Sequence, residues 1–456
     1  MNDTARARRL DGVWVLAAAG VGVAAALIAA RGPLVSLGAL AILLAGLVII
    51  RDVRLGILGM MVALPLDVYG RLGGDRVVTV YQVLLLLTLA AWAWQSARGD
   101  APRARFTTVD AWVFALVGAA LWSMPFSFSI ADTLFSLGRL VFLVGLFKLL
   151  TTYLENSPPL ARELAAVIVA TSVAAAVLAS LQHFVPGFDV GNTSVRLGTG
   201  VAPIIRGSGF FEDPNYLGGV LSVAVVFGLT IGLWEPRVRR AAMWFGGSAV
   251  CAVGLYATLS RTAWVGAGLG VLLTILLAPP KRRKPVAIAL AVAAVGALAV
   301  QPAMLVERAS SIVGIDQDTS ISTRWYMFSS AWRMIQDHWA MGVGLGAFAE
   351  AYPPYREFGT FLSVLKPHQL PVAMWAEMGI AGLIAEVGLT LSFARLALRG
   401  WKAGLSVESR FALVGLITLV VQTFFQYFLF FEYLWLLLAM AVVALRRDIE
   451  RKEDAS

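Results

Sequence analysis

Four arginines and one histidine are the side chains of this chain best suited to act on a phosphorylated substrate. Arg206 begins the string Arg-Gly-Ser-Gly-Phe-Phe-Glu-Asp-Pro-Asn-Tyr, Arg206 to Tyr216, just before an apolar block. Arg261 follows Ser260 at a tight turn between two such blocks, Arg324 opens an amphipathic stretch, and Arg139 lies inside a block, near its outward end. A guanidinium grips phosphate oxygens in pairs and stays charged when partly desolvated, so a converging set makes a diphosphate site. Arg324 adds an electrostatic reason: a cation at a helix N-terminus opposes the dipole, and a bound anion would remove the conflict. His368 follows Lys366-Pro367 and opens a block whose first turns contain Pro371 and Glu377. An imidazole, with an ordinary pKa of about 6.5, can accept a hydroxyl proton at neutral pH. The plainer reading of the arginines is snorkelling to lipid headgroups or pairing with acids such as Glu212 and Asp213. For His368 it is a structural or exposed helix end; His183 and His338 carry no comparable context.

The elements that must position these residues are membrane spans. The chain has 456 residues, 59% hydrophobic and 14% charged, whereas soluble domains average about 25% charged. Its apolar residues run in blocks of about 15 to 25, which excludes an ordinary soluble enzyme. Blocks long enough to cross the hydrocarbon predict helices at Val13 to Ala30, Leu34 to Ile50, Leu55 to Gly70, Val77 to Trp94, Val109 to Pro125, Thr133 to Leu154 and Leu164 to Val185. Further helices are predicted at Tyr216 to Leu233, Ala241 to Leu259, Thr262 to Ala278, Val286 to Val300, Leu370 to Leu398, Phe411 to Phe425 and Phe428 to Leu445. The fold class is an all-α integral membrane protein with about 14 (12 to 14) transmembrane helices. The first block lacks a small-x-small exit and runs into another span, so it is expected to be retained as a helix.

Charge orients the chain. The net charge of +9 would suggest nucleic acid in a soluble protein, but here it reflects basic loops on one side of a membrane, and no nucleic-acid partner is expected. With the N-terminus inside, 25 of the 37 basic residues fall on cytoplasmic segments, among them Arg105, Lys148, Arg162, Arg282, Arg410 and Arg446 to Lys452. The expected localisation is the inner, cytoplasmic membrane, with both termini cytoplasmic and the candidate residues facing the periplasm or outside. The lone Cys251 leaves no intrachain disulfide.

This organisation divides the chain into N-terminal spans (1–185), a central transmembrane part with a first outer loop (186–300), a large periplasmic or extracellular loop (301–370), and C-terminal spans with a cytoplasmic tail (371–456). Within the large loop Trp325, Phe328, Trp332, Ile335 and Trp339 recur at spacings of 3, 4, 3 and 4, an apolar stripe on one helical face. Such a helix lies on the bilayer surface, lids a cavity, or packs its stripe on the bundle. Gly342-Val-Gly344-Leu-Gly346 imitates a dinucleotide fingerprint without the preceding strand, and a close-approach turn is the better reading. Asp316-Gln317-Asp318 resembles a metal-binding Asp-x-Asp but sits among turn and capping residues, and no metal or other cofactor is expected there.

Taken in order, several strings resemble the O-antigen ligase and polysaccharide polymerase superfamily: Arg206 to Tyr216, Leu-Ser-Arg-Thr at Leu259 to Thr262, Arg324-Trp325 through Asp337-His338, Gly342 to Phe348, and His368-Gln369 followed by Glu377-Met-Gly379 and Gly382-Leu. The resemblance covers roughly residues 200 to 390; the first six helices share only hydropathy. It implies a multispanning, metal-independent, inverting glycosyltransferase of the GT-C type. Such an enzyme takes a glycan from undecaprenyl diphosphate, and passes it to an acceptor hydroxyl on a glycan or on lipid A-core, in lipopolysaccharide or exopolysaccharide biosynthesis. Carried over, the resemblance makes Arg206 and Arg261 diphosphate-binding residues supported by Arg324 and Arg139, and His368 the catalytic base, with Asn215, Gln369 and Glu377 in supporting roles. Two departures stand out: Gln369 replaces the usual Asn after the histidine and keeps an amide, and Trp339 stands where the loop often has Pro.

Competing classes are a polytopic transporter or lipid-linked glycan flippase, and a non-catalytic scaffold. Transporters place charges at the bilayer midplane, whereas the candidate charges here cluster at one face. Glu386 is the main midplane exception, expected to make an interhelix contact.

Overall fold

The computed structural model describes residues 44–66, 71–72, 78–103, 105–188, 190, 195–197, 204–300, 319–357 and 369–456. His368, Asp316-Gln317-Asp318 and the predicted helix Val13 to Ala30 lie outside these residues. The described chain forms two compact units: one made of the residues up to Met60 with Gln82–Ala101, the other of Met61–Tyr81 and Pro102–Ser456. In the first, Gly56 gives room to Thr88 at a helix crossing, and Gln95 donates from Nε2 to the carbonyl of Ile50.

The architecture is helical, as the apolar blocks require. The helices are α1 (Val53–Ala63), α2 (Val80–Arg98), α3 (Thr108–Ser123), α4 (Ile130–Asn156), α5 (Leu160–Phe184), α6 (Pro214–Trp234), α7 (Val238–Ala257), α8 (Arg261–Leu276), α9 (Pro280–Val300), α10 (Thr319–His338), the single turn α11 (Phe348–Ala351), α12 (Leu370–Ala403), α13 (Val407–Thr423) and α14 (Glu432–Glu453). Six segments among the described residues are long and apolar enough to cross a membrane: Val80–Arg98, Thr108–Phe126, Ile130–Asn156, Leu160–Phe184, Pro214–Trp234 and Leu370–Ala403. Two short antiparallel ladders interrupt the all-α pattern, β1 (Arg71–Leu72) with β2 (Val78–Thr79) and β3 (Val195–Leu197) with β4 (Ile204–Arg206).

The core of the larger unit is α6. It is apolar all round, as expected of a helix enclosed by others, and all its residues from Leu217 to Leu233 are buried. Around it stand α5, α7, α8 and α13. Its glycines permit the close approach: a Cβ at Gly228 would strike Ser248, and one at Gly218 would strike Ala263. The outer helices instead show apolar side chains outward, for example Phe135 at 70% exposure, the surface a hydrocarbon environment requires.

One end of this unit carries a belt of ion pairs. Lys148 pairs with buried Asp110 at 2.6 Å, Arg446 with Glu155 at 2.5 Å, Arg105 with Glu450 at 2.6 Å and Arg162 with Glu408 at 2.7 Å. At the same end Arg282 donates to Leu233 O at 2.6 Å and Arg410 stacks 4.0 Å from the centre of the Trp234 ring. These are residues that the charge pattern assigns to one side. The N-terminus of α6 lies 20 residues from Trp234, about 30 Å away along the helix.

Helix α10 begins at Thr319, so Arg324 is in its second turn rather than opening it. The dipole argument for Arg324 therefore fails, because the effect falls off within the first turn. Nor does the aromatic stripe pack as a unit. The buried face is Met327, Ala331, Met334 and Ile335, set against Val343, Phe348, Tyr352 and Ala376. Trp325, Trp332 and Trp339 are 63%, 43% and 57% exposed. Trp325, Phe328 and Trp332 stack along the helix and end edge-on against Trp375 of α12 at 5.9 Å.

Candidate functional site

At the end opposite the ion-pair belt, three chain segments meet. The last turn of α5 supplies Gln182, whose Oε1 accepts the backbone N–H groups of Ser208 and Gly209 at 3.0 and 2.8 Å. Gly207 and Gly209 lie so close to the backbone of Ala179 and Ala175 that a Cβ at either would collide. This packing fixes the end of β4 and delivers Arg206. The Nε of Arg206 donates to Thr258 O at 2.8 Å, and its Nη2 to Asn215 Oδ1 at 3.0 Å.

Asn215 is the hinge point of the arrangement. It is the second residue of α6, behind the cap Asp213, whose Oδ1 accepts the Asn215 N–H at 2.7 Å. Its own Oδ1 accepts a second donor, Ser260 Oγ, at 2.8 Å. Ser260 is the N-cap of α8, and Arg261 is the first residue of that helix. The turn between α7 and α8 is so tight that Leu259, a non-glycine, takes φ +51°. Backbone of this kind costs about 1–3 kcal/mol and persists only where the surroundings over-determine it. Here the side chain of Leu259 is buried, Ser260 N donates to Thr258 Oγ1 at 3.2 Å, and Gly207 N donates to Ala257 O at 2.9 Å. Arg206, Asn215 and the Ser260-Arg261 turn are thus one hydrogen-bonded cluster, and two helix N-termini, those of α6 and α8, converge on it. Positive dipole ends and guanidinium groups together make an anion-binding environment.

The first turn of α6 has a second side. Asp213 and Tyr216 line a cavity of about 250 Å³ together with Arg139, Glu212, Glu432 and Tyr433. Arg139, one of the four predicted cations, lies here, 4.7 Å from the centre of the Phe430 ring. Tyr427 lines the same cavity and donates to Glu377 Oε2 at 2.7 Å. Burial, and then the neighbouring Glu377 carboxylate, hold the Tyr427 hydroxyl well above the usual tyrosine range, so it remains a donor at physiological pH.

Glu377 sits at a break in α12. Gly379 has φ +64° and ψ −161° inside the helix, a conformation open to glycine, and a Cβ there would strike Ala340. The break releases the carbonyls of Ala376 and Glu377, which accept from Val343 N and Gly344 N at 2.9 and 2.8 Å. Gly342, Gly344 and Gly346 all have positive φ. Cβ atoms at these positions would meet Glu377 O, Ser127 and Ser136 respectively, so the glycine-rich string is the close-approach turn its sequence suggested.

The structure therefore joins Arg206, Asn215 and the turn that carries Arg261, sets Arg139 in the wall of the adjoining cavity with Glu377 behind Tyr427, and carries Arg324 on α10. Gln369 caps α12 through its backbone, its carbonyl accepting from Ala373 N at 2.9 Å. The Oε2 of Glu386 is buried without a hydrogen-bond partner among the described residues. Sequence reasoning missed Tyr427, which falls between two predicted spans, and Glu432 and Tyr433, which fall inside the predicted span Phe428 to Leu445 and drew no functional reading. It also passed over His183, whose Nδ1 donates to Ile205 O at 2.7 Å and braces the strand carrying Arg206. No spacing signal links positions so far apart in the chain.

Fold and site define a polytopic helical membrane protein with an arginine cluster and an acid-lined aromatic cavity at one end. Residues 246–386 match the family model described as O-antigen ligase. No curated protein matches the chain. The matched stretch includes Arg261, α10, the glycine turn and Glu377, and stops short of Arg139, Arg206 and Asn215.

Proposed function

We propose that the protein transfers a glycan from undecaprenyl diphosphate to an acceptor sugar hydroxyl on the outer face of the cytoplasmic membrane, as an O-antigen ligase or an O-antigen or exopolysaccharide polymerase. The observation that carries this reading is the cluster in which Asn215 binds both Arg206 and the N-cap of Arg261's helix. It collects positive charge at the end of the bundle away from the basic ion-pair belt. That asymmetry is the expected one if the belt faces the cytoplasm and the cluster faces outward.

The chemistry follows from charge. The acceptor oxygen attacks the anomeric carbon, the bond from that carbon to the diphosphate oxygen breaks, and the electron pair leaves with the lipid diphosphate. Arg206 and Arg261, with Arg324 from α10, stabilise the developing charge more in the transition state than in the ground state. His368, one residue before Gln369, takes the proton of the attacking hydroxyl. Attack opposite the leaving group inverts the anomeric centre. Neither nucleotide nor metal is required for this displacement, because the donor is already activated. The ladder of Trp325, Phe328 and Trp332 provides aromatic faces for lipid headgroups or sugar rings.

The test is an assay of full-length protein in detergent or nanodiscs with an undecaprenyl-diphosphate oligosaccharide and an acceptor glycan. Release of lipid diphosphate with elongation of the acceptor is expected. Movement of the lipid-linked glycan between leaflets without release would overturn transfer in favour of a flippase. Addition of a chelator leaves the rate unchanged on this reading.

A further inference from the structure

The cavity on the second side of α6 is chemically unlike the arginine cluster. Among the described residues its charged lining consists of one guanidinium, Arg139, and three carboxylates, Glu212, Asp213 and Glu432, a formal net of −2. That balance repels a diphosphate. Tyr433 lines the cavity and is 1% exposed, yet its hydroxyl has no hydrogen-bond partner among the described residues. A buried hydroxyl left unmatched is costly, which marks a position where a ligand's polar group would be stabilising. The remaining walls are aromatic, with Tyr216 and Phe431 packed edge to face at 5.2 Å. Carboxylates accept hydrogen bonds and cannot donate them, so they favour a ligand rich in hydroxyl donors. Aromatic walls favour one with apolar C–H faces. The volume, about 250 Å³, lies just below the range of roughly 300–1,000 Å³ typical of drug-sized ligands, which suits a single small ring.

We infer that this cavity is a sugar-ring subsite for a neutral or amino sugar, one that excludes uronic acids and phosphorylated sugars. Glu212, Asp213 and Glu432 accept from ring hydroxyls, Tyr433 supplies the remaining hydrogen bond, and Arg139 holds the carboxylates in place by its charge. The assignment rests on the glycan-transfer reading above and extends it: the same helix turn, Asp213 to Tyr216, separates a phosphate side from a sugar side. Arg139 then belongs to sugar recognition, and the diphosphate is left to Arg206, Arg261 and Arg324.

The experiment is saturation-transfer NMR on the full-length protein in nanodiscs, with a methyl hexoside and the corresponding methyl hexuronide as probes. Signal from the hexoside and little from the hexuronide is expected. Tyr433→Phe and Glu432→Gln should each weaken hexoside binding by about tenfold, the second guarding against a folding defect in the first. Equal binding of the uronide, or hexoside binding untouched in both variants, overturns the proposal. Adding the glycosylated lipid donor separates the two sources of the sugar: displacement identifies the donor's ring, persistence the acceptor's. In Arg261→Ala the hexoside signal should survive while lipid-diphosphate release is lost. Hexoside binding by a wild-type protein that never releases lipid diphosphate would defeat the transfer reading and leave the sugar subsite standing.

Discussion

The hydroxyl of Tyr427 donates to Glu377 Oε2 at 2.7 Å and joins positions 50 residues apart. It ties the segment before α14 to the break in α12. Both residues are buried, so losing the donor removes one hydrogen bond from a buried carboxylate. Tyr427→Phe is expected to destabilise the protein by about 1–3 kcal/mol. Thermal unfolding in detergent measures it, and a smaller effect of the same change in a Glu377→Gln background would identify this bond as the cause.

The same tyrosine sets a pH limit. Its folded-state pKa is raised, by burial first and by Glu377 second, so its contribution is complete below the ordinary tyrosine value of about 10. As pH rises beyond that value the unfolded chain ionises while the folded one does not, and stability falls. Melting temperature should hold between pH 7 and about 9 and decline above about 10, with a shallower decline in Tyr427→Phe.

Asn215→Ala removes the acceptor shared by Arg206 and Ser260. Misplacing a charged group by an ångström can cost about 100-fold in rate. A fall of about 10- to 100-fold in kcat/KM is expected, with the full loss of about 100- to 1,000-fold reserved for Arg206→Ala and Arg261→Ala. Kinetics of lipid-diphosphate release test the order of these effects; an Asn215→Ala enzyme at wild-type rate would remove Asn215 from the site.

His368→Ala should lower kcat by about 100- to 10,000-fold while leaving the KM for the donor nearly unchanged, because the proposed diphosphate ligands are Arg206, Arg261 and Arg324. A variant whose donor KM rises and whose kcat holds would make the imidazole a binding group.

Gly379→Ala should prevent assembly of this region. Its φ of +64° is unfavourable for any other residue, and a Cβ would strike Ala340. Loss of a monodisperse peak in size-exclusion chromatography, set against normal behaviour of Gly118→Ala, where a Cβ meets open space, checks this.

Hydropathy made the helices legible: α4, α5 and α6 each lie within a few residues of their predicted bounds, because a span must be continuous and apolar. Relative sidedness was legible too, since Arg105, Lys148, Arg162 and Arg446 gather at one end. The stripe on α10 was harder. Trp325, Phe328 and Trp332 repeat with a helical period, but so do Met327, Ala331 and Met334, and period alone does not say which face a partner covers. The glycine string could be separated from a nucleotide loop because no strand precedes it. Its partner, the broken α12, was not foreseen, since Gly379 sits in a block that is apolar on both sides. The cavity was invisible because Arg139, Glu212 and the stretch Tyr427 to Tyr433 come from three distant parts of the chain, and only folding brings them together.

The break at Gly379 divides α12 into two pieces that answer to different masters. Beyond Gly379 the helix runs the length of the bundle and is held by α3 and α14. Before it, the stub from Leu370 to Met378 takes its bearings from the glycine turn, through Val343 N to Ala376 O and Gly344 N to Glu377 O. Whatever the stub carries at its start is therefore aimed by an outer loop and decoupled from the tilt of the span below. A change in the tilt of the long piece should then leave the bearing of the short one, set by the glycine turn, where it was.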